Sequence, residues 1–257
     1  MKLFLLTCFS AFLFSCNSSS SKKDGDKQNN DSTTTNDKVS RIISPVSITA
    51  AQIPPGVKFD GKLQEAWQWT DKLGDNILVT SYIEPYDDKE KSDQGDEGKT
   101  AKLNAFHYVK KDGSYQLLWK VNDEEKSCPF DITCEFIKGA TTVTDLDKNG
   151  IAETTVQYRL ACRSDVSPAE MKLIMHENNV SYSLRGLSWL KSSPEDKFTV
   201  TEKDVNLETL PGYKKTQEEY MQTFGRYESE KNFAGAPAEF LNYARQQWMK
   251  YVKEITE

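Results

Sequence analysis

Residues 103–121 read LNAFHYVKKDGSYQLLWKV. Two runs of strand-forming residues flank the dipeptide Asp112-Gly113, which readily takes positive φ at both central positions of a tight turn. Leu118 and Trp119 add bulk to the second run. We therefore predict a β-hairpin whose strands span residues 103–110 and 114–121.

The same pattern of short strand-forming runs separated by turns extends through most of the chain. Asp60-Gly61 is a second predicted hairpin turn, and the polar stretch 87–99, which is free of apolar residues, is predicted to be a loop. The other predicted strands span residues 62–70, 76–84, 132–137, 141–145, 151–160, 171–176 and 180–184.

The C-terminal region has the periodicity of a helix. Pro237 suits the first helical position, and apolar side chains then recur at spacings of three and four residues. These side chains are Phe240, Leu241, Ala244, Trp248, Tyr251 and Val252. The opposite face is polar but not strongly basic, which favours packing on a sheet over binding to a membrane surface. The predicted class is mainly β with a C-terminal α-helix (α+β), an antiparallel sheet of hairpins packed against that helix.

Composition limits the classes of function. The chain has 257 residues, with 33 Lys and Arg against 39 Asp and Glu, a net charge of −6, and 37% hydrophobic residues. This balance excludes fibrous and polytopic membrane proteins. It also argues against nucleic acid as a partner, because that binding depends on neutralising phosphates. We predict a single β-rich globular domain over residues 52–257.

The N-terminus indicates export and lipidation. Residues 3–14 form an apolar run too short to span a bilayer, so residues 1–15 are predicted to be a signal peptide. The run ends in Leu-Phe-Ser-Cys, which resembles the bacterial lipobox, so Cys16 is predicted to carry a covalent lipid that anchors the protein to the membrane. The alternative is an ordinary signal peptide with an incidental cysteine. Asn17 suits an outer-membrane lipoprotein, on the periplasmic face or the cell surface, and residues 22–26 faintly resemble a surface-export tag of Bacteroidota.

Residues 16–51 are predicted to be a lipidated, disordered tether. The stretch 17–37 is rich in Ser, Asn and Thr and lacks large apolar side chains. Such a segment cannot bury enough surface to offset the entropy lost on ordering.

Residues 145–153 read DLDKNGIAE and suggest a calcium loop. Oxygen ligands at alternate positions, followed by a glycine that permits a sharp turn, suit a hard cation such as Ca²⁺. The candidate ligands are Asp145, Asp147, Asn149 and Glu153. An EF-hand is excluded because Val156 stands where its bidentate Glu belongs; the spacing more closely resembles the calcium hairpins of integrin-type propellers. The alternative is a simple Asn149-Gly150 turn with solvated acidic flanks.

Three of the five cysteines lie in the predicted domain. Cys134 shares strand parity with Ile132 and Phe136, which indicates a buried thiol. Cys128 lies in a turn and Cys162 ends a strand, so we predict a Cys128–Cys162 disulfide, favoured by an oxidising compartment and contributing roughly 3 kcal/mol.

Residues that could carry catalysis are few. The only histidines, His107 and His176, lie in predicted strands among apolar and aromatic neighbours, which favours a structural role over that of a general base. No nucleophile elbow, phosphate-binding glycine loop or zinc-protease motif is found in the sequence. Four tryptophans could form a sugar-stacking platform, although strand alternation favours a core role. These are Trp67, Trp69, Trp119 and Trp189.

Several segments together resemble a family of Bacteroidota envelope proteins labelled surface polysaccharide biosynthesis proteins. They are residues 59–62, 69–76, 117–120, 128–129, 144–153, 162 with 165–168, and the helix near Trp248. Cys128 and Cys162 both lie in matching segments. Together with the absence of a recognisable catalytic constellation, the resemblance favours a non-catalytic lipoprotein that supports assembly or display of surface polysaccharide by binding glycan or envelope protein. The alternative function is a glycan hydrolase or lyase with acidic catalytic residues.

Overall fold

The computed structural model describes residues 43–91, 97–190, 199–213 and 217–254. They belong to a unit that spans Ser40–Glu257. The predicted signal peptide, the lipidation site Cys16 and the tether up to residue 42 lie outside the described residues. Within that part the fold is mainly antiparallel β-sheet with one long C-terminal helix, as the sequence predicts.

The first sheet, sheet A, is a five-stranded antiparallel meander in chain order. Its strands are β1 (Val46–Ser47), β2 (Lys62–Asp71), β3 (Gly74–Lys91), β4 (Glu97–Lys111) and β5 (Ser114–Cys128). Asp112 and Gly113 both have positive φ, at 50° and 81°, and join β4 to β5. The predicted central hairpin is therefore confirmed, and the left-handed backbone of its turn is the reason for the Asp-Gly pair.

The second sheet, sheet B, has the order β10-β9-β8-β6, with β7 also paired to β8. Its strands are β6 (Asp131–Phe136), β7 (Thr142–Thr144), β8 (Glu153–Arg163), β9 (Glu170–Glu177) and β10 (Val180–Leu187). A small parallel pair joins β11 (Trp189–Leu190) to β12 (Lys253–Glu254).

Helices follow the second sheet. The α-helices are α1 (Glu202–Val205) and α2 (Ala238–Tyr251), and 3-10 turns span Ala50–Gln52, Leu207–Thr209, Gln217–Thr223 and Lys231–Phe233. Pro237 is the N-cap of α2, one position before its predicted place. The predicted apolar stripe is buried through Phe240, Ala244 and Trp248.

Three apolar cores separate the layers. Between the two sheets, side chains such as Leu78 and Leu103 of sheet A meet Val156 and Tyr158 of sheet B. On the far side of sheet B, the stripe of α2 packs on Met171, Leu173 and Leu184, among others. The outer face of sheet A is covered by the N-terminal segment, including Ile48 and Ile53. The order of layers is thus N-terminal segment, sheet A, sheet B and α2.

The folded part begins earlier than the sequence predicts. Residues 43–51 were expected within the tether, but β1 pairs with β2 and Ile48 is 8% exposed. The few apolar residues of this segment follow a polar tract and do not indicate a strand by themselves. The pairing of β1 with β2 is not visible in the local sequence, because β2 lies about twenty residues further on.

Two predictions about connections between strands, one turn and one loop, are wrong. Asp60-Gly61 does not connect two paired strands; it leads into β2, and Gly61 has a φ of 83°. Residues 87–99 are not a loop throughout, because β3 and β4 continue as a paired ladder at Asp87↔Lys99 and Lys91↔Glu97. Backbone hydrogen bonds to a neighbouring strand hold this polar stretch extended without an apolar side chain.

Candidate functional site

The acidic loop, residues 145–153, connects β7 to β8. Its turn requires left-handed backbone at Lys148, with φ 59°, and at Gly150, with φ 81°. A β-carbon at Gly150 would also lie 2.9 Å from Cε of Lys72. The glycine therefore serves both the turn and a close approach from the β2–β3 hairpin.

Three of the four predicted calcium ligands come together. One carboxylate oxygen each from Asp145, Asp147 and Glu153 lies within 4.8 Å of the others. The amide of Asn149 is engaged elsewhere, since its Oδ1 accepts from Ile151 N–H at 2.7 Å and its Nδ2 donates to Asp147 at 3.0 Å. The Asn149 side chain is thus hydrogen-bonded within the loop, and its role as a fourth ligand stays a prediction.

Glu153 is the most buried member of the acidic loop, with no exposed surface. Its Oε2 accepts from Thr144 Oγ1 and Leu146 N–H, each at 2.9 Å, whereas its Oε1 has no partner among the described residues. Burial raises the pKa of Glu153 to about 7, and the nearby Asp147 contributes in the same direction. The pKa rises because the charged form of a carboxyl group is poorly solvated in a buried position.

Asp71, at the end of β2, holds the acidic loop against sheet A, and sequence reasoning missed it. Its Oδ2 accepts from Ala152 N–H and from the indole of Trp69, both at 3.0 Å. Lys72 N–H donates to the carbonyl of Gly150 at 2.9 Å. The only sequence signal is the polar run that follows Trp69, which does not point to a partner about 80 residues away.

Both histidines lie in the core between the sheets. His107 Nε2 hydrogen bonds to Asn76 Oδ1 at 2.9 Å, and His176 stacks on Trp119 with ring centroids 4.0 Å apart. Burial lowers the pKa of His107 to about 3 and that of His176 to about 4. Each ring is therefore neutral at pH 7.

The cysteines are arranged as the sequence predicts. Cys128 and Cys162 form a disulfide, and Cys134 is free and buried. Burial raises the pKa of the Cys134 thiol to about 12, so the nucleophilic thiolate is suppressed at neutral pH.

The tryptophans are core residues and do not form an exposed sugar platform. Trp69 and Trp119 are buried between the sheets, and Trp67 packs against the same core. Trp189 packs against the core beneath α2. The core interpretation of the sequence is therefore confirmed for these side chains.

A cleft of about 990 Å³ lies at the edge of sheet B, on strands β9 and β10. Its volume suits an organic ligand of several rings. We call it the tyrosine cleft and define it by Lys172, Arg185, Tyr213, Tyr220, Arg226 and Glu228, with Glu170 beside Lys172. Sequence reasoning missed this site, because its residues come from four separate segments and none belongs to a motif.

The floor of the tyrosine cleft forms where residues 226–228 run beside β10. Leu187 N–H donates to the carbonyl of Arg226 at 3.1 Å, and Glu228 N–H donates to that of Arg185 at 2.8 Å. A β-carbon at Gly186 would overlap the carbonyl oxygen of Arg226. Glycine at this position therefore permits the close approach on which the cleft depends.

Among the described residues, the two arginines of the tyrosine cleft form no direct ion pair with a carboxylate, although Arg226 interacts electrostatically with Asp204. Arg226 Nη1 donates to the backbone carbonyls of Lys203 at 2.8 Å and Asn206 at 3.4 Å, and Arg185 is exposed without a side-chain hydrogen bond there. Lys172, in contrast, is neutralised by Asp123 at 2.9 Å. The cleft thus offers guanidinium groups that have no direct ion pair next to tyrosine rings.

No family model, curated protein or solved structure matches this chain. In the described ranges, every helix is too short or too polar to cross a bilayer.

Proposed function

We propose that this chain is a non-catalytic, lipid-anchored envelope protein that binds an acidic glycan in the tyrosine cleft. The observation that carries the proposal is the pairing of Arg185 and Arg226 with Tyr213 and Tyr220 on one concave surface. The tyrosines and the arginines suit two different parts of a charged sugar chain, its rings and its anionic substituents.

The tyrosines suit the sugar rings. A pyranose has an apolar face of C–H groups, which packs on the face of an aromatic ring, and the phenol hydroxyl can bond to a sugar hydroxyl. Tyr220 is 46% exposed, and it is held from one side by an edge contact with Phe224 at 5.2 Å between ring centroids. It is therefore both supported and accessible.

The arginines suit a carboxylate or another anionic substituent. A guanidinium recognises a carboxylate through two parallel N–H···O bonds and is weakly hydrated, so little is lost when it leaves water. Because Arg185 and Arg226 form no direct ion pair with a carboxylate among the described residues, a ligand carboxylate would not have to displace one. This favours an acidic over a neutral glycan.

Binding without catalysis is favoured by the state of the nucleophiles and bases. Within the described part of the chain, His107 and His176 are buried and neutral, and the Cys134 thiol is buried and protonated. None of these three groups lines the tyrosine cleft.

A second candidate function is supported by Glu170 and Glu228, two carboxylates that line the same cleft. Glycosidases use such a pair, one of them kept protonated by an apolar pocket. Here Glu170 is 59% exposed and pairs with Lys172 at 3.3 Å, so it does not lie in an apolar pocket of that kind. A glycan hydrolase or lyase is therefore the less favoured alternative.

The anchoring part of the proposal rests on the N-terminal sequence. A short apolar run followed by Cys16 favours a lipoprotein of the outer membrane, and the resemblance to polysaccharide-related envelope proteins agrees with a glycan ligand. Ligand capture by a membrane-anchored domain would hold the glycan near the envelope.

The test is a glycan array probed with the full-length protein purified in detergent. We expect retention on uronic-acid-containing or similarly acidic polysaccharides and little on neutral ones. The bound material is then incubated with the protein and analysed for shorter chains. Chain shortening that is lost in Glu170→Gln would replace the binding function by the hydrolase alternative, and the absence of any retained glycan would refute both.

A further inference from the structure

The acidic loop contains a buried carboxylate oxygen that nothing in the described structure satisfies. Glu153 has no exposed surface, and its Oε1 makes no hydrogen bond to a described residue. Leaving a polar atom unpaired in the interior is costly, so a buried atom without a partner from the protein chain indicates a bound water or ion.

The surroundings of this carboxylate are acidic. Asp145 and Asp147 each place a carboxylate oxygen within 4.8 Å of Glu153. In the part of the chain that the structure describes, none of the three forms an ion pair with a lysine, arginine or histidine. Lys72 lies against the loop, but its Nζ donates to the backbone carbonyl of Asn149 and not to a carboxylate.

We propose that Asp145, Asp147 and Glu153 bind one Ca²⁺. Three carboxylates supply hard oxygen ligands and a charge that a divalent cation compensates, and the unpartnered Oε1 of Glu153 becomes a ligand. The group contains no histidine or cysteine, which argues against zinc and copper. The remaining ligands would be water or backbone carbonyls, which Ca²⁺ accepts because its coordination is flexible.

The site is separate from glycan binding and has a structural consequence. The acidic loop is fastened to sheet A through Asp71 and Lys72, and Glu153 is the first residue of β8 in sheet B. A cation here would therefore stabilise the junction of the two sheets.

Buried water is the competing occupant. Thr155 and Gln157 follow Glu153 on the same face of β8, and their side chains also have polar atoms without a described partner. Water bound beside these side chains would donate a hydrogen bond to Glu153, but its binding would not depend on the charges of Asp145 and Asp147. Removing one charge with little change of shape therefore separates the two explanations.

The full-length protein is first treated with a chelator. Its thermal unfolding is then measured with and without Ca²⁺, and its Ca²⁺ binding is measured by calorimetric titration. We expect one Ca²⁺ per chain and a melting temperature that rises by about 5–10 °C at a hundredfold excess over Kd. Asp147→Asn and Glu153→Gln should each remove most of the rise. Asp112→Asn, at an exposed turn in a backbone conformation that asparagine tolerates, is the matched control and should retain it.

Three results would overturn the proposal. They are no binding and no shift in the parent protein at millimolar Ca²⁺, an undiminished shift in both loop variants, and an equal shift with Mg²⁺. Since Asp147→Asn changes a partly exposed side chain, it provides a folded variant even where Glu153→Gln does not fold.

Discussion

Cys128 and Cys162 are joined by a disulfide with their Cα atoms 5.5 Å apart, and this bond connects sheet A to sheet B. Cys128 is the last residue of β5, whereas Cys162 lies near the end of β8. The bond therefore fixes the two sheets at one edge of the core they enclose, and it closes a loop between residues 34 positions apart in the sequence.

Breaking this bond should lower stability without changing the fold. Cys162→Ser, or reduction of the parent, is expected to cost about 3 kcal/mol, because the unfolded chain regains the entropy of the closed loop. The measurement is chemical denaturation with and without reductant. Cys134→Ala is the control and should retain the full reductant effect; a parent protein insensitive to reductant would contradict the prediction.

His107 should make stability fall in acid. Burial lowers its pKa to about 3, so between that value and about 6.5 the unfolded chain binds a proton that the folded chain does not. Its stabilising contribution is complete above pH 6.5 and is lost as the pH falls towards 3, by at most about 1.4 kcal/mol per pH unit.

His107→Gln tests this, since the amide can still donate to Asn76 but does not titrate. The free energy of unfolding is measured between pH 7 and pH 4.5. The slope of the variant should be smaller than that of the parent, and parallel curves would show that His107 does not contribute.

Gly186→Ala should damage the tyrosine cleft. The added methyl group overlaps the carbonyl of Arg226, so residues 226–228 must move away from β10 and lose two backbone hydrogen bonds. We expect a loss of about 2 kcal/mol in unfolding free energy and weaker glycan binding. Ser181→Ala, at an exposed position of the same strand, should leave both unchanged; equal behaviour of the two variants would refute this account of Gly186.

Cys16→Ser tests the membrane anchor. Cells that express the parent protein should incorporate radiolabelled palmitate into it, and the protein should fractionate with membranes. The variant should lose the label and leave the membrane fraction, because the acyl chains provide most of such an anchor's affinity. Equal labelling of both proteins would contradict lipidation at Cys16.

Local signals predicted much of the fold. The hairpin at Asp112-Gly113 depends on backbone preferences of two adjacent residues, and the stripe of α2 depends on helical periodicity, so both are visible in the sequence. The predicted hairpin turn at Asp60-Gly61 is wrong because the same dipeptide can also precede the first residue of a strand. The ladder at Asp87↔Lys99 was missed because strand pairing, rather than side-chain polarity, holds it.

The sites were predicted less completely. The acidic loop was visible in the sequence because its candidate ligands lie within nine residues, but the burial of Glu153 depends on its place in β8 and beneath other layers. The tyrosine cleft was missed because Arg185, Tyr213 and Arg226 meet only after β10 and the C-terminal segments fold together. Asp71 was missed for the same reason.

The central claim, that an acidic glycan binds in the tyrosine cleft, is tested most directly by the affinities of single-residue variants. The ligand is the best acidic oligosaccharide from the array, and the proteins are the parent, Arg185→Gln, Tyr220→Ala and Tyr86→Ala. Tyr86 is 41% exposed and lies outside the cleft, so it is matched to Tyr220. We predict that Kd rises about tenfold or more in the two cleft variants and is unchanged in Tyr86→Ala. Equal affinity of all four proteins would contradict the claim.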